Sequence, residues 1–430
     1  MFKNFAIITV TALLLCSSSN FVNADEAIPD PFANIKSNTP NTSGNSTDNI
    51  PVVIPNPPEF DAQSWVLLDY YSGRVICEHN AHDKIWPASL TKMMTSYVIS
   101  MELKAGRLHM NDEVTIPEEA WSKKYSDSSK MFIEVGKTIR VEDLVKGIII
   151  QSGNDACVAM AVHLAGTQEG FVQVMNSYAK QLGLNDTHFS NVHGLYDEQN
   201  YSSAYDMAIL GRATIRDLPN EYPLYSQKEF TFNNIKQTNR NRLLWDKTIN
   251  VDGIKTGHLS QVGYNLVTSA VEGNMRLVAS VIGAKSEKLR AEYSKALLTY
   301  GFRYFEPYSP FSKDKILLTR TVRMGDKSKV NIGIKEDLNL LIPRGRQNEI
   351  QTSYHLKKSS FVAPIHEGDV LGNIDIKIGD KVLHQVPLIA KENIEEAGFF
   401  GGLWDRFIMI FDSDDEEENN TAEDEDTKEK

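Results

Sequence analysis

The chain has 430 residues, 41% hydrophobic and 24% charged, with a formal net charge of −12. That length allows two or three domains with a true core, and the composition excludes a collagen, a mucin or a wholly disordered chain. With 45 Lys and Arg against 57 Asp and Glu, and no RNA- or DNA-reading motif, a nucleic-acid binder is not expected.

The first 24 residues read as a secretory signal peptide. Lys3 precedes an apolar stretch from Phe5 to Leu15, and Val22-Asn23-Ala24 places small residues before Asp25. Eleven residues are too few to span a bilayer, so the mature chain is expected to start near Asp25, outside the cytoplasmic membrane. Residues 25–58, with Pro29, Pro31, Pro40, Pro51, Pro55, Pro57 and Pro58, read as a solvated linker. Of the three cysteines, Cys16 falls in the signal peptide, and Cys77 and Cys157 are expected as buried thiols.

A folded domain is expected over 59–307. Trp65–Tyr70 and Arg74–Cys77 read as two strands around Tyr71-Ser72-Gly73. Leu90, Met93, Met94, Tyr97, Val98 and Met101 recur at helical spacing after Pro87, ending at Gly106. Further helices are expected over 141–165, 170–182 and near 288–300, with strands over 262–271 and 275–284. Strands at both ends with helices between predict an α/β (α+β) domain. The segment 308–395 reads as a small all-β domain, with a hairpin at Ile374–Ile378, Gly379-Asp380 and Lys381–Leu383. In 396–412, Phe400, Leu403, Trp404, Phe407, Ile408 and Phe411 share a helical face, which suits an amphipathic membrane-interface helix. The alternative is a helix packed on the β domain. The tail 413–430 is acidic and apolar-poor and is expected to be disordered. From residue 412 onward, eleven acids face two lysines, a net of −9, so the rest of the chain carries only −3.

The chemistry resides in three short motifs. Ser89-Leu90-Thr91-Lys92 opens the first helix, and residues three apart share a helical face, so the amine of Lys92 lies over the hydroxyl of Ser89. A serine needs a base to become nucleophilic, and a lysine with a lowered pKa can serve. Ser-x-x-Lys also occurs at Ser177/Lys180 and Ser312/Lys315. Only Ser89 is followed, in order, by Ser152-Gly153-Asn154 and by Lys255-Thr256-Gly257, the last placed just before the strand expected at 262–271. A strand there could pair with an extended peptide, Lys255 supplying charge and Gly257 allowing close approach. Ser43-Gly44-Asn45 lies in the linker and is set aside.

The triple resembles that of the penicillin-binding proteins and serine β-lactamases. The flanks Pro87–Tyr97, Gln151–Met160 and Val251–His258, with Val192-His193-Gly194-Leu195 and Asn239-Arg240-Asn241, resemble the D-alanyl-D-alanine carboxypeptidases known as penicillin-binding proteins 5 and 6. The resemblance runs from about residue 60 to 412. It implies a β-lactamase/transpeptidase-like catalytic domain with an antiparallel sheet flanked by helices, a β-rich second domain and a periplasmic enzyme held at the inner membrane. It implies removal of the terminal D-Ala from peptidoglycan stem pentapeptides through an acyl-enzyme, with β-lactams acylating the same serine. On this resemblance Ser89 is the nucleophile, Lys92 the general base, and Ser152 and Asn154 the second motif. Lys255, Thr256 and Gly257 form the third, and backbone N–H groups of Ser89 and His258 form the oxyanion hole. Arg290 matches an arginine that helps hold the substrate carboxylate, and Arg240 is a further candidate. No cofactor and no metal are implied.

Plainer readings stand beside these. In these, His193 only braces a loop, Arg240 is a salt-bridge or loop residue, and Met93 and Met94 are core. Against the family pattern, residues 121–131 are a few positions shorter, the N-terminal linker is longer and the acidic tail has no counterpart. A serine β-lactamase and a D,D-endopeptidase remain alternatives on the same scaffold. So does a non-catalytic wall-binding protein, against which the three intact motifs argue.

Overall fold

The computed structural model describes residues 54–398. The expected signal peptide, most of the linker, all but the first residues of the amphipathic segment and the acidic tail lie outside the described residues. Among the described residues no helix is long and apolar enough to cross a membrane.

In chain order the first domain contains β1 (Ser64–Asp69), β2 (Val75–His79), α1 (Thr91–Lys104), β3 (Glu113–Thr115), β4 (Thr138–Arg140) and α2 (Val141–Lys146). There follow α3 (Asn154–Ala165), α4 (Gln168–Gln181), α5 (Ala204–Asp217), β5 (Glu229–Phe232), β6 (Ile235–Thr238), β7 (Val251–Leu259), β8 (Gly263–Glu272), β9 (Met275–Ala284) and α6 (Glu287–Tyr304). Five strands form one antiparallel sheet in the order β2-β1-β9-β8-β7. Side chains alternate across a strand, so one residue in two faces each side. Val66, Leu68, Ile254, Val267, Val278 and Ile282 join the main core with Met207, Ala208 and Leu210 of α5. The intervening Leu67 and Leu277 meet α6 at Gly301. Both faces of the sheet are therefore covered, which is why β1, β8 and β9 read as nearly continuous apolar runs.

Three elements differ from the sequence expectation. The helix expected over 141–165 is broken: α2 widens into a π-turn at Gly147–Gln151, Ser152 takes φ 64° and ψ 37°, and α3 starts afresh after Gly153. Ile148, Ile149 and Ile150 are all buried, so the apolar pattern continues through a break that only the backbone reveals. Lys255-Thr256-Gly257 does precede the expected strand, β8, but itself lies inside a further strand, β7, where Gly253 and Gly257 and the polar residues between them conceal the β pattern. Helix α5 has no counterpart in the sequence reading, although Ser203 caps it by accepting from the N–H of Asp206 at 3.1 Å.

Helix α6 passes directly into β10 (Phe305–Phe311), so the boundary expected at 307/308 falls within a strand. The second domain continues with β11 (Leu318–Arg323), β12 (Lys329–Gly333), β13 (Leu338–Pro343), β14 (Ile350–Leu356), β15 (Phe361–Val362), β16 (Val370–Ile378) and β17 (Lys381–Ala390). Its six-stranded sheet has the order β14-β16-β17-β12-β11-β15, and β10 pairs with β13. Val330, Ile332, Ile374, Ile376 and Leu388 fill its core. The hairpin expected at 374–383 is β16–β17, turning at Gly379-Asp380.

Candidate active site

The chain enters the site through Trp86-Pro87 and a 3-10 turn, Ala88–Leu90, closed by the N–H of Leu90 donating to Pro87 O at 3.1 Å. Ala88 has φ 53°, a left-handed conformation that costs a non-glycine residue about 1–2 kcal/mol. Such strain clusters where a site requires a particular backbone path. Here it places Ser89 immediately before α1, one turn from Lys92. Lys92 is 1% exposed, and its Nζ lies 3.1 Å from Ser89 Oγ and donates to the carbonyl of His193. Burial lowers its pKa from 10.5 to about 8. The neutral amine can therefore accept the hydroxyl proton of Ser89 while one of its own hydrogens stays on His193 O.

The break between α2 and α3 delivers the second motif. Left-handed Ser152 accepts a hydrogen bond from Lys255 Nζ at 3.0 Å. Asn154 Nδ2 donates to Ser128 Oγ at 2.8 Å, and its N–H donates to Ser129 O at 2.9 Å. The buried Asp155 carboxylate accepts the N–H groups of Met131 at 2.7 Å and Ile133 at 3.3 Å, and burial raises its pKa. The segment flagged as short in the sequence, 121–131, is thus tied to the start of α3.

Strand β7 is the sheet's edge, so backbone groups on its outer side are open to an extended ligand. Lys255 is buried, and its pKa falls well below 10.5 through burial and the charge of Lys92. Gly257 lets β7 approach the nucleophile turn: a Cβ there would lie 3.0 Å from Pro87 O and 3.3 Å from the backbone N of Leu90. The His258 side chain is exposed, with its ring 4.2 Å from that of Tyr264.

The two arginines occupy different positions. Arg290 is 3% exposed, and its guanidinium donates to the carbonyls of Gly257 at 3.4 Å and Arg240 at 3.3 Å. Burial lowers its pKa to about 10, which leaves it a cation at neutral pH. Arg240 is exposed and donates to Ser129 Oγ at 2.7 Å. Ser89, Lys92, Ser152, Asn154, Lys255, Thr256, Gly257, Arg240 and Arg290 are therefore linked through direct contacts or adjacent backbone.

Sequence reasoning missed Ser128 and Ser129, which have no motif signal, and the His193 carbonyl, which no side-chain pattern can reveal. Cys77 and Cys157 are both buried and not joined in a disulfide. Burial raises the Cys157 thiol to about 12, so it stays protonated beside the two lysines. Met93 and Met94 are core.

A buried lysine within hydrogen-bond reach of a serine at a helix start, facing a second Ser–Lys pair at an edge strand, defines a serine acyl-transfer site. The family model for D-alanyl-D-alanine carboxypeptidase matches residues 52–286, and that for the C-terminal domain of penicillin-binding protein 5 matches 305–396. The chain belongs to the D-alanyl-D-alanine carboxypeptidase family. It is 49% identical over 357 residues to D-alanyl-D-alanine carboxypeptidase DacC of Escherichia coli K12, covering 82% of this chain and 89% of that protein. It is 49% identical over 366 residues to DacA of the same strain, covering 84% and 91%. Among solved structures, penicillin-binding protein 5 from Haemophilus influenzae matches with a TM-score of 0.78 and 47% identity, covering 79% of this chain and 99% of that one.

Proposed function

We propose that this protein is a serine-type D-Ala-D-Ala carboxypeptidase that removes the terminal D-alanine from peptidoglycan stem pentapeptides. The observation that carries the reading is the buried amine of Lys92, 3.1 Å from Ser89 Oγ with its pKa lowered to about 8. Lys92 takes the Ser89 proton as Oγ adds to the penultimate D-Ala carbonyl. The developing oxyanion sits on the backbone N–H groups of Ser89 and His258, each such donor being worth about 3 kcal/mol. The C–N bond then breaks, and Lys92, with Ser152 and Lys255 as relay, returns a proton to the departing D-Ala amine. Water hydrolyses the ester and regenerates Ser89.

Asn154 holds the substrate backbone beside Ser89. The terminal carboxylate lies against Lys255 and Thr256 and within reach of Arg240, while Arg290 braces the backbone of Gly257 and Arg240 and adds positive charge. β-Lactams acylate Ser89 in the same way, and their esters are released slowly. The segment between Ser152 and Lys255 lacks the Glu-x-x-Leu-Asn arrangement with which a class A β-lactamase positions its hydrolytic water. Purified enzyme should release free D-Ala from pentapeptide, leave cross-linked dimers intact and turn over penicillin only slowly. Cleavage of the dimers would instead identify an endopeptidase, and rapid penicillin turnover a β-lactamase.

The reading places the mature enzyme in the periplasm after cleavage near Ala24/Asp25, attached to the outer face of the inner membrane through the apolar residues of 396–412. An acidic tail is repelled by anionic headgroups, so attachment rests on Phe400, Leu403, Trp404, Phe407, Ile408 and Phe411. Removing 398–430 should release the enzyme from membranes with its activity on a soluble peptide retained. A truncated protein that stays membrane-bound would rule this anchor out.

A further inference from the structure

Beside the reaction centre stand side chains that the acyl-transfer steps do not use. Leu195 and Tyr196 are 38% and 46% exposed, and the ring of Tyr196 meets half-buried Trp86 edge-on at 5.2 Å. Exposed aromatics on a loose loop would carry little meaning, but this loop is rigidly held. The N–H groups of Gly194 and His193 donate to Asn191 Oδ1 at 2.6 and 3.3 Å, and Asn191 Nδ2 donates to Leu195 O at 3.2 Å. The N–H of Leu195 donates to His193 Nδ1 at 3.2 Å. Burial lowers the pKa of His193 to about 3, so its ring remains a neutral acceptor at physiological pH.

The same loop is keyed to the nucleophile. Gly194 lies so close to the turn before Ser89 that a Cβ would fall 1.8 Å from Ala88 O, and His193 O holds Lys92. Trp86 lies three residues before Ser89. The cationic groups, by contrast, gather around Ser152, Lys255 and Arg240. A peptide whose carboxylate lies there and whose carbonyl meets Ser89 must extend its preceding residue away from them. Of the neighbouring charged groups, Lys84 stands 4.0 Å over the Tyr201 ring, Asp197 Oδ1 accepts from the N–H of Gln199 at 2.8 Å, and Glu198 is exposed.

We propose that Trp86, Leu195 and Tyr196 form a specificity shelf for the side chain of the residue preceding the D-Ala pair, and that the shelf takes a long alkyl stem. Aromatic faces pack well against CH2 groups, and the three shelf side chains carry no charge of their own. The inference rests on the acyl-enzyme reading of Ser89, and its test separates the two.

Benzylpenicillin carries an acyl side chain that reaches beyond the reacting ring, whereas 6-aminopenicillanic acid lacks it. Second-order acylation constants for both would be measured in the wild type, Tyr196→Ala, Trp86→Ala and Tyr196→Phe, with melting temperatures alongside. The ratio of the two constants should fall about tenfold in Tyr196→Ala, fall similarly in Trp86→Ala, and return to its wild-type value in Tyr196→Phe. The kcat/KM ratio for diacetyl-L-Lys-D-Ala-D-Ala over acetyl-Gly-D-Ala-D-Ala should fall in parallel. An unchanged ratio in either series in a folded Tyr196→Ala protein overturns the shelf. Failure of both penicillins to acylate even the wild type would instead remove the Ser89 reading beneath it.

Discussion

Replacing Gly257 by alanine tests whether the spacing between β7 and the nucleophile turn sets the reaction rate. The added Cβ would sit 3.0 Å from Pro87 O, 3.2 Å from Ala88 Cβ and 3.3 Å from the backbone N of Leu90. Two of these three neighbours are backbone atoms of the segment that carries Ser89, so no flexible side-chain tip can swing aside. The strand and the turn must separate by a few tenths of an ångström. A misplacement of about 1 Å costs on the order of a hundredfold in rate, so acylation should slow by about five- to tenfold. Gly257 does not occupy the left-handed region, and alanine is slightly better than glycine in a strand. The melting temperature should therefore move little. The assay is the second-order rate of labelling by a fluorescent penicillin, with a thermal melt on the same samples. Gly273→Ala, in the β8–β9 turn, is the control: φ is +59° and no atom lies within 4 Å of the new Cβ. It should lose about 1 kcal/mol of stability and label at the wild-type rate. Wild-type labelling and an unchanged melt in Gly257→Ala would refute the argument.

Other outcomes follow from the same geometry. With Lys92 at about 8, acylation should rise about tenfold per pH unit up to about pH 7 and level off above about pH 8, because only the neutral amine accepts the proton. A profile flat from pH 6 to 9 would contradict that role. Gly194→Ala should fail to fold or melt far below the wild type, since its Cβ would overlap Ala88 O, and a wild-type melt would show that the loop is not keyed as described. Asp155→Asn keeps the shape but turns an NH2 donor toward the N–H of either Met131 or Ile133, which donate to separate carboxylate oxygens. It should cost about 1–3 kcal/mol and speed limited proteolysis within 121–131. Asp252→Ala leaves Arg276 and the Tyr222 hydroxyl without their 2.8 Å partner. A loss of about 2–4 kcal/mol is expected in thermal melts, with labelling by penicillin retained.

The sequence revealed most where side-chain pattern and chemistry coincide. The apolar stripe Leu90–Met101 identified α1 and placed Ser89 at its start, and the order of three motifs selected Ser89 over Ser177 and Ser312. What stayed hidden depends on backbone. The π-turn and left-handed Ser152 interrupt an unbroken apolar pattern, so helical periodicity carried straight across them. The placement of Lys255 inside β7 was concealed by the glycines that allow the strand to approach Ser89. The His193 carbonyl leaves no mark in a sequence, because every residue carries one. Arg290 was placed near the site only through the family resemblance. The use of its charge on the carbonyls of Gly257 and Arg240 required the packing of α6 on β8 and β9.

The most direct test of the account is to locate the covalent bond. Enzyme incubated with benzylpenicillin would be digested, and the modified peptide sequenced by mass spectrometry, for the wild type, Ser89→Ala and Ser177→Ala. A penicilloyl ester on Ser89 in the wild type and in Ser177→Ala, with no adduct in Ser89→Ala, is the predicted result. An adduct on any other residue, or equal modification of the Ser89→Ala protein, would contradict it.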